Sequence, residues 1–328
     1  MSTNAAPTTL TVGAPAAAGS VGKLTGVIPP VCTPFNEDLT VDVESLRRLV
    51  DHLIAGGVSG LFALGSSSEV VFLTRDQRRV VLQTVVDQAA GRVPILAGVI
   101  DTTTPRVLEH VADARAIGAD GYVLTAPFYT RTHPNEIEQH FRLVKESVGD
   151  RPLFAYDLPI SVQVKLATGF VLDLAEQGVL AGVKDSSGSD HSIRALVTGR
   201  DDRGLQGFSV LTGSEVTVDS AIGYGADGAV PGLGNVDPAG YTALVAKAAA
   251  GDAAGARHEQ ERLIRLFDIV NQGDLSRMGG GSAGIGSFKA ALTLLGIFAR
   301  PLMAPPQIQL NDTELEGVRR CLAGAGLI

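Results

Sequence analysis

Short apolar runs alternate with amphipathic segments along the chain from Leu24 onward. In residues 43–54 the apolar side chains recur at helical spacing, and Gly56 and Gly57 follow, which predicts a helix that ends at these glycines. The apolar runs between such helices are closely bounded by turn residues and show no polar alternation, as is typical of parallel strands covered on both faces. The predicted strands cover residues 27–35, 59–69, 94–100, 121–129, 152–159, 179–185, 208–215 and 227–235.

Eight predicted strands, each followed by a predicted helix, indicate a (β/α)8 TIM barrel rather than an open α/β sheet. We expect a catalytic barrel domain over residues 23–238. Residues 239–328 are predicted to form the eighth barrel helix and a C-terminal helical extension. The glycine-rich stretch 272–287 within this extension is predicted to be a loop that is mobile or specially turned, because glycine is conformationally permissive.

The composition narrows the choice of partners and compartment. Residues 1–22 are rich in Ala, Thr, Pro and Gly and lack the features of a signal peptide, so we expect a disordered tail. The net charge of −8, without a dense Lys/Arg block, argues against nucleic-acid binding. The sequence lacks an apolar run of about 18 residues, so no membrane span is expected. The two distant cysteines, Cys32 and Cys321, fit a reducing compartment, and we expect a cytoplasmic protein.

The active site of such a barrel lies at the carboxyl ends of its strands. Glu69, Asp101 and Glu215 at these ends are predicted to support turns or cap helices, whereas His133 and His140 are interpreted as surface residues. The strand ends show no histidine or carboxylate cluster, so we expect neither a metal nor another cofactor. The candidate catalytic and substrate-binding residues at the strand ends are Lys184, Tyr156, Tyr129, Ser66, Ser67, Ser68, Thr33 and Gly232.

A lysine and a tyrosine at one barrel rim indicate amine chemistry. An unprotonated amine condenses with a ketone to an iminium, which withdraws electrons and stabilises a carbanion on the neighbouring carbon. A tyrosine hydroxyl can carry the protons of that reaction. The backbone N–H groups and hydroxyls of a Gly-Ser-Ser-Ser turn can hold a carboxylate. Together these parts predict a class I aldolase that acts on a 2-oxo acid.

Four motifs carry a family resemblance: GSSSE at 65–69, APFYTRT at 126–132, YDLP at 156–159 and GVKDSSG at 182–188. In this order and at these intervals they resemble the N-acetylneuraminate lyase/dihydrodipicolinate synthase family of pyruvate-dependent Schiff-base enzymes. The resemblance covers nearly the whole chain after the tail. Since each of the four motifs falls on a predicted strand end, it supports the barrel as well.

The resemblance implies a role for each matching residue. Lys184 matches the lysine that forms the imine, and Tyr156 matches the tyrosine that relays protons. Ser66 and Ser67 match the positions that bind the pyruvate carboxylate. Tyr129 matches a tyrosine that, in the synthases, completes a proton relay across a subunit contact. The resemblance therefore also implies a homo-oligomer, either a dimer or a tetramer.

Several positions depart from the family pattern. Ser68 replaces a glycine and adds a hydroxyl that is a candidate for the pocket, Phe128 replaces a tyrosine, and Asp157 replaces an asparagine. In the lysine-pathway synthases an arginine grips the carboxylate of the aldehyde substrate two residues after the YNxP proline. Here that position is Ser161, which weakens an assignment to aspartate semialdehyde. Asp185 after the lysine is commoner in the sugar-acid branches.

We therefore expect a lyase that joins pyruvate to an aldehyde or cleaves the product, with a 4-hydroxy-2-oxo acid or a 2-keto-3-deoxy sugar acid as substrate. Arg131, His133 or Lys165 could supply polarity in place of the missing arginine. Three alternatives remain open. They are 4-hydroxy-tetrahydrodipicolinate synthase, a sugar-acid dehydratase, and a ligand-binding barrel without catalysis, against which the presence of both Lys184 and Tyr156 argues.

Overall fold

The structure is a computed structural model and describes residues 22–328. The predicted tail, residues 1–22, lies outside the described residues except for Gly22. The strands of the described part are β1 (Gly26–Val27), β2 (Leu61–Ala63), β3 (Ile95–Gly98), β4 (Gly121–Leu124), β5 (Leu153–Asp157), β6 (Gly182–Asp185), β7 (Ser209–Thr212) and β8 (Gly228–Ala229). Its α-helices are α1 (Val43–Ala55), α2 (Arg75–Ala89), α3 (Thr104–Ile117), α4 (Pro134–Val148), α5 (Pro159–Val162), α6 (Thr168–Glu176), α7 (Asp190–Asp202), α8 (Val218–Gly223), α9 (Pro238–Ala249), α10 (Ala253–Phe267), α11 (Gly280–Leu294) and α12 (Asp312–Gly324).

The eight strands are all parallel and form one closed barrel. The sheet runs β1-β8-β7-β6-β5-β4-β3-β2. The segment after β1 closes it, because Phe62 of β2 donates its N–H to the Pro29 carbonyl at 3.0 Å and accepts the Val31 N–H at 2.9 Å. The predicted (β/α)8 fold is therefore confirmed, with helices between consecutive strands and further helices after the eighth.

The barrel is built as its hydrophobic pattern predicts. All residues of β2 to β8 are buried, which explains their uninterrupted apolar runs. Helix α1 buries Leu46, Leu49, Val50 and Leu53 on one face. Strand β1 is shorter than predicted because Pro29 and Pro30, which lack an N–H, interrupt its ladder.

The glycine-rich stretch 272–287 was wrongly predicted to be a loop throughout, because α11 already begins at Gly280. A side chain at Gly286 would come within 2.7 Å of the Leu310 side chain, and one at Gly273 within 2.7 Å of the Ala283 Cβ. These glycines therefore allow a helix to pack closely against its neighbours. Periodicity alone does not distinguish that use of glycine from flexibility.

No helix of the described residues is both long enough and apolar enough to cross a membrane. Within residues 22–328 there is also no group of three or more His, Cys, Asp or Glu side chains that could hold a metal ion.

His140 of α4 is buried, which makes the surface interpretation wrong. It is 2% exposed, and its Nδ1 lies 2.8 Å from the Thr104 hydroxyl. Burial lowers the pKa of His140 to about 4 from its ordinary 6.5, because it disfavours the charged imidazolium. The folded chain therefore holds a neutral imidazole in a pH range where the unfolded chain binds a proton.

We predict that His140 makes the fold less stable in acid. Between pH 6.5 and about 4 only the unfolded chain protonates this residue, so the free energy of unfolding should fall by about 3 kcal/mol over that range. Urea unfolding at several pH values measures this slope. The slope should flatten in His140→Gln and stay unchanged in His258→Gln, an exposed control on α10. An identical slope in His140→Gln and the wild type would contradict the prediction.

Candidate active site

Lys184 and Tyr156 lie side by side at the carboxyl ends of β6 and β5. They are register partners in the parallel ladder and are 5% and 2% exposed. The Lys184 Nζ lies 4.2 Å from the centroid of the Tyr156 ring and 5.2 Å from that of Phe62. Within residues 22–328 Lys184 forms no ion pair with a carboxylate. The amine thus faces aromatic rings and has no carboxylate within ion-pair distance among the described residues.

The hydroxyl of Tyr156 contacts the serine turn, residues 66–68. Its oxygen lies 3.1 Å from Ser66 Oγ, within hydrogen-bond distance. The tyrosine ring packs edge-on against Phe62, with centroids 6.0 Å apart at 83°. This packing fixes the ring and with it the position of the hydroxyl beside the serine turn, where it is a candidate for a proton relay.

The serine turn is a short 3₁₀ helix whose three hydroxyls have different surroundings. Ser68 donates its hydroxyl to the Val31 carbonyl and accepts the Gly65 N–H at 3.2 Å. Thr33 is fully buried and donates its hydroxyl to the Ser68 carbonyl at 2.9 Å. Both hydroxyls therefore hold the turn in place, and the substrate-binding role of Ser68 and Thr33 stays a prediction. Ser66 and Ser67 remain the candidates for binding a carboxylate.

Gly232 is also engaged within the chain. It begins a 3₁₀ helix after β8 and donates its N–H to Glu215 Oε1 at 2.7 Å, while Leu233 donates to Glu215 Oε2 at 3.2 Å. The Tyr241 hydroxyl donates to the Glu215 carbonyl at 2.9 Å. The Gly232 N–H is thus bonded within the chain by Glu215, which caps this 3₁₀ helix, and the substrate-binding role of Gly232 stays a prediction.

Glu215 is also a titratable group near the active site that was not among the candidate catalytic and substrate-binding residues. Burial raises the pKa of this carboxyl to about 7, against the lowering effect of the N–H groups of Gly232 and Leu233 and the charge of Lys184. Sequence reasoning finds the residue at a strand end but has no signal for its surroundings, which come from the 3₁₀ helix after β8 and from Tyr241 of α9.

Tyr129 is not brought together with the other candidates in the single chain. It lies in the loop after β4, is 98% exposed and has a left-handed backbone with φ of 70°. A large aromatic side chain rarely adopts this conformation. Its neighbour Phe128 is half-buried and packs on the core.

A buried ion pair holds the residue that directly follows the serine turn. Glu69, in left-handed conformation directly after the turn, pairs with Lys289 of α11, and both side chains are 0% exposed. Lys289 also donates to the Leu302 carbonyl at 2.8 Å, and Glu69 Oε1 accepts the Ala304 N–H at 2.8 Å. The helices after the barrel therefore fix the position of a turn at its active end.

Comparisons with known proteins identify the family to which this barrel belongs. The model of the dihydrodipicolinate synthetase family matches residues 23–325. The chain belongs to this family. The predicted resemblance is confirmed, and the chain is a lyase of the class I aldolase kind within the dihydrodipicolinate synthetase family.

Three similar proteins illustrate the family. An uncharacterized DapA-like lyase of Halobacterium salinarum is 32% identical over 305 residues, which cover 93% of this chain and 95% of the relative. The 4-hydroxy-tetrahydrodipicolinate synthase of Methanothermobacter thermautotrophicus is 30% identical over 248 residues, covering 76% and 87%. The crystal structure of YagE from E. coli K12 in complex with pyruvate matches with a TM-score of 0.85 and 27% identity, covering 93% and 99%.

Proposed function

We propose that this lyase forms an imine between Lys184 and the ketone of pyruvate. The observation that carries the proposal is the position of the buried Lys184 amine against the Tyr156 ring, without a carboxylate partner among the described residues. The uncharged amine attacks the C2 carbonyl of pyruvate, and the resulting carbinolamine loses water to give the iminium. Tyr156 supplies and removes the protons of these steps.

The iminium activates the methyl group of pyruvate. When a base takes a C3 proton, the electron pair moves into the iminium and forms an enamine, whose C3 attacks an aldehyde carbon. The aldehyde oxygen then takes a proton, and water releases the product from Lys184. Cleavage follows the same steps in reverse. Ser66 and Ser67 would hold the pyruvate carboxylate, so the Tyr156–Ser66 hydrogen bond connects the relay to the bound substrate.

For the second substrate we propose an aldehyde that lacks the carboxylate bound by the arginine of the lysine-pathway synthases. Joining pyruvate to such an aldehyde gives a 4-hydroxy-2-oxo acid or a 2-keto-3-deoxy sugar acid. Ser161 offers no guanidinium at the position of that arginine. Lys165 is bonded to Asp157, and His133 accepts the Asn135 N–H at 3.2 Å as the cap of α4. The second candidate is 4-hydroxy-tetrahydrodipicolinate synthase, since relatives at 30% identity carry that name.

We propose that the protein is a homo-oligomer, a dimer or tetramer, in the cytoplasm. The 98% exposure of Tyr129 supports a second copy of the chain, against which this side chain could pack. Cys32 and Cys321 are free thiols, in keeping with a reducing compartment.

The imine is tested by borohydride reduction in the presence of pyruvate, followed by peptide mass mapping. The expected result is a pyruvate adduct on the peptide that contains Lys184. If the full-length protein carries no such adduct, the Schiff-base mechanism is excluded and the ligand-binding barrel is favoured.

A panel of aldehydes identifies the second substrate, because efficient turnover of aspartate semialdehyde would favour the synthase. Water loss from a sugar acid, without cleavage of a carbon–carbon bond, would favour the dehydratase.

We predict that Tyr156→Phe separates the proton relay from substrate binding. The ring and its contact with Phe62 remain, but the hydroxyl that lies 3.1 Å from Ser66 is lost. The exchange of pyruvate methyl protons with deuterated water should slow by roughly 10²- to 10⁴-fold, the usual contribution of general acid–base catalysis. NMR measures this exchange without an aldehyde. Unchanged exchange in a folded Tyr156→Phe protein would assign the relay to another group.

A further inference from the structure

Two carboxylates lie directly behind the proposed catalytic pair. Asp157 and Asp185 are register partners in β5 and β6, one residue after Tyr156 and Lys184. Because side chains alternate along a strand, the aspartates point away from the face that carries the tyrosine and the lysine. They are 1% and 3% exposed. Two buried negative charges are therefore adjacent where the catalytic strands end.

Lys165, in the segment between α5 and α6, joins the two carboxylates. Its Nζ donates to Asp157 Oδ2 and lies 3.5 Å from Asp185 Oδ2. It also donates to the Leu166 carbonyl and to Ser192 Oγ, each at 3.0 Å. The lysine thus connects both strand ends to the segment before α6 and to helix α7.

The remaining contacts of the two aspartates are uncharged. Asp157 Oδ1 accepts the Leu166 N–H at 3.1 Å, Asp185 Oδ1 accepts the Ser187 N–H at 2.8 Å, and Asp185 Oδ2 accepts the Ser192 hydroxyl at 2.5 Å. Among residues 22–328, Lys165 is the only cation that forms an ion pair with either carboxylate. Burial raises the pKa of Asp157, with Lys165 lowering it and the charge of Asp185 adding to the rise.

Removal of this one cation would leave two like charges in a buried site. A buried charge without its partner is strongly destabilising, and the pair would respond either by taking up a proton or by moving apart. Movement of the strand ends would change the distance between the Tyr156 hydroxyl and the Lys184 amine, since each belongs to the residue directly before an aspartate.

We propose that Lys165 is a positioning residue of the reaction, which holds the ends of β5 and β6 at the spacing that lets Tyr156 and Lys184 act on one substrate. The inference rests on the proposed imine chemistry. It also gives Lys165 a function other than that of the missing arginine, because its ammonium group is directed at the strand ends and is not free to bind an aldehyde's carboxylate.

The test measures proton exchange of pyruvate in deuterated water, with pyruvate as the only substrate. In Lys165→Met the maximal exchange rate should fall by roughly 10- to 100-fold, the expected cost of a small misplacement of reacting groups. The pyruvate KM should change little, because the serines proposed to bind the carboxylate belong to the turn after β2. The matched control is Lys247→Met, which removes a lysine of similar exposure (39% against 41%) from a surface ion pair with Glu259.

Two further variants separate positioning from general stability. The double variant Lys165→Met with Asp157→Asn removes one charge of each sign and keeps an acceptor for the Leu166 N–H, so most of the lost exchange rate should return. Lys165→Arg should keep more activity than Lys165→Met. The rate of Lys165→Met relative to wild type should also rise as the pH is lowered, because protonation of one carboxylate removes the repulsion.

The outcomes are distinct. If folded Lys165→Met exchanges pyruvate protons as fast as the wild type, the positioning role is overturned. The same conclusion follows if the double variant exchanges protons no faster than Lys165→Met. If Lys165→Met does not fold, the double variant decides: a folded, active protein supports the proposal and an inactive or unfolded one contradicts it. Absence of both exchange and the borohydride adduct in the wild type would instead refute the proposed function itself.

Discussion

Replacement of Lys184 by methionine is expected to abolish the borohydride-trapped pyruvate adduct and to slow pyruvate proton exchange by roughly 10⁴-fold or more. Methionine keeps the unbranched apolar stem of the side chain but lacks the amine that lies over the Phe62 and Tyr156 rings and would attack the ketone. Without the imine, the C3 carbanion has no electron acceptor. Mass spectrometry of the reduced protein and NMR of the exchange reaction measure the two effects.

Lys247→Met serves as the control for Lys184→Met, since it removes a half-exposed lysine from α9, away from the strand ends. It should keep the adduct and the exchange rate of the wild type. Circular dichroism shows whether Lys184→Met is folded. A folded Lys184→Met protein that still traps pyruvate would place the imine on another lysine and contradict the assignment.

Lys289→Met is expected to lower the free energy of unfolding by roughly 3–5 kcal/mol, the usual cost of leaving one member of a buried ion pair without its partner. Glu69 and Lys289 are both fully buried, so the remaining carboxylate has no access to water. It would have to take up a proton or draw water into the core. Because Glu69 directly follows the serine turn, the variant should also bind pyruvate more weakly. Urea unfolding and the pyruvate KM of the exchange reaction measure both effects.

Two comparisons make the Lys289 result specific. Lys289→Met with Glu69→Gln leaves no buried charge and should recover much of the lost stability, since neutral replacements of buried pairs are often tolerated. Arg47→Met breaks the exposed pair with Glu44 on α1, at 2.8 Å, and should change stability by less than about 1 kcal/mol. If Lys289→Met were no more destabilising than Arg47→Met, the ion pair would not support the turn.

The strands and the proposed catalytic pair could be predicted because their signals are local. A strand buried on both faces reads as a continuous apolar run, and a barrel places the ends of all such runs on one rim. Lys184 and Tyr156 each stand at the end of a predicted strand, and β5 and β6 are consecutive in the chain and adjacent in the sheet. Residue type and position along the chain are enough to bring these two together.

The hydroxyl and amide groups of the rim could not be assigned in the same way. Ser68 and Thr33 stand at strand ends as Ser66 does, yet their hydroxyls bond to the backbone of the described chain. The N–H of Gly232 donates a hydrogen bond to Glu215, a residue of another loop. The sequence lists possible donors, but a short side chain has several acceptors within reach once the chain folds. The choice among these acceptors depends on distances of a few tenths of an ångström.

The amino-acid sequence was sufficient to predict the (β/α)8 barrel, the family, and a lysine and a tyrosine at adjacent strand ends. Hydrophobic period and motif spacing are properties of short stretches of chain, so they survive without coordinates. Which buried charges are paired became visible only in the folded chain. Folding joined Glu69 to Lys289 across more than half of the chain and set Lys165 between Asp157 and Asp185. Pairing of buried charges is decided by proximity and by exclusion of water, and both arise only when the strands and helices pack together.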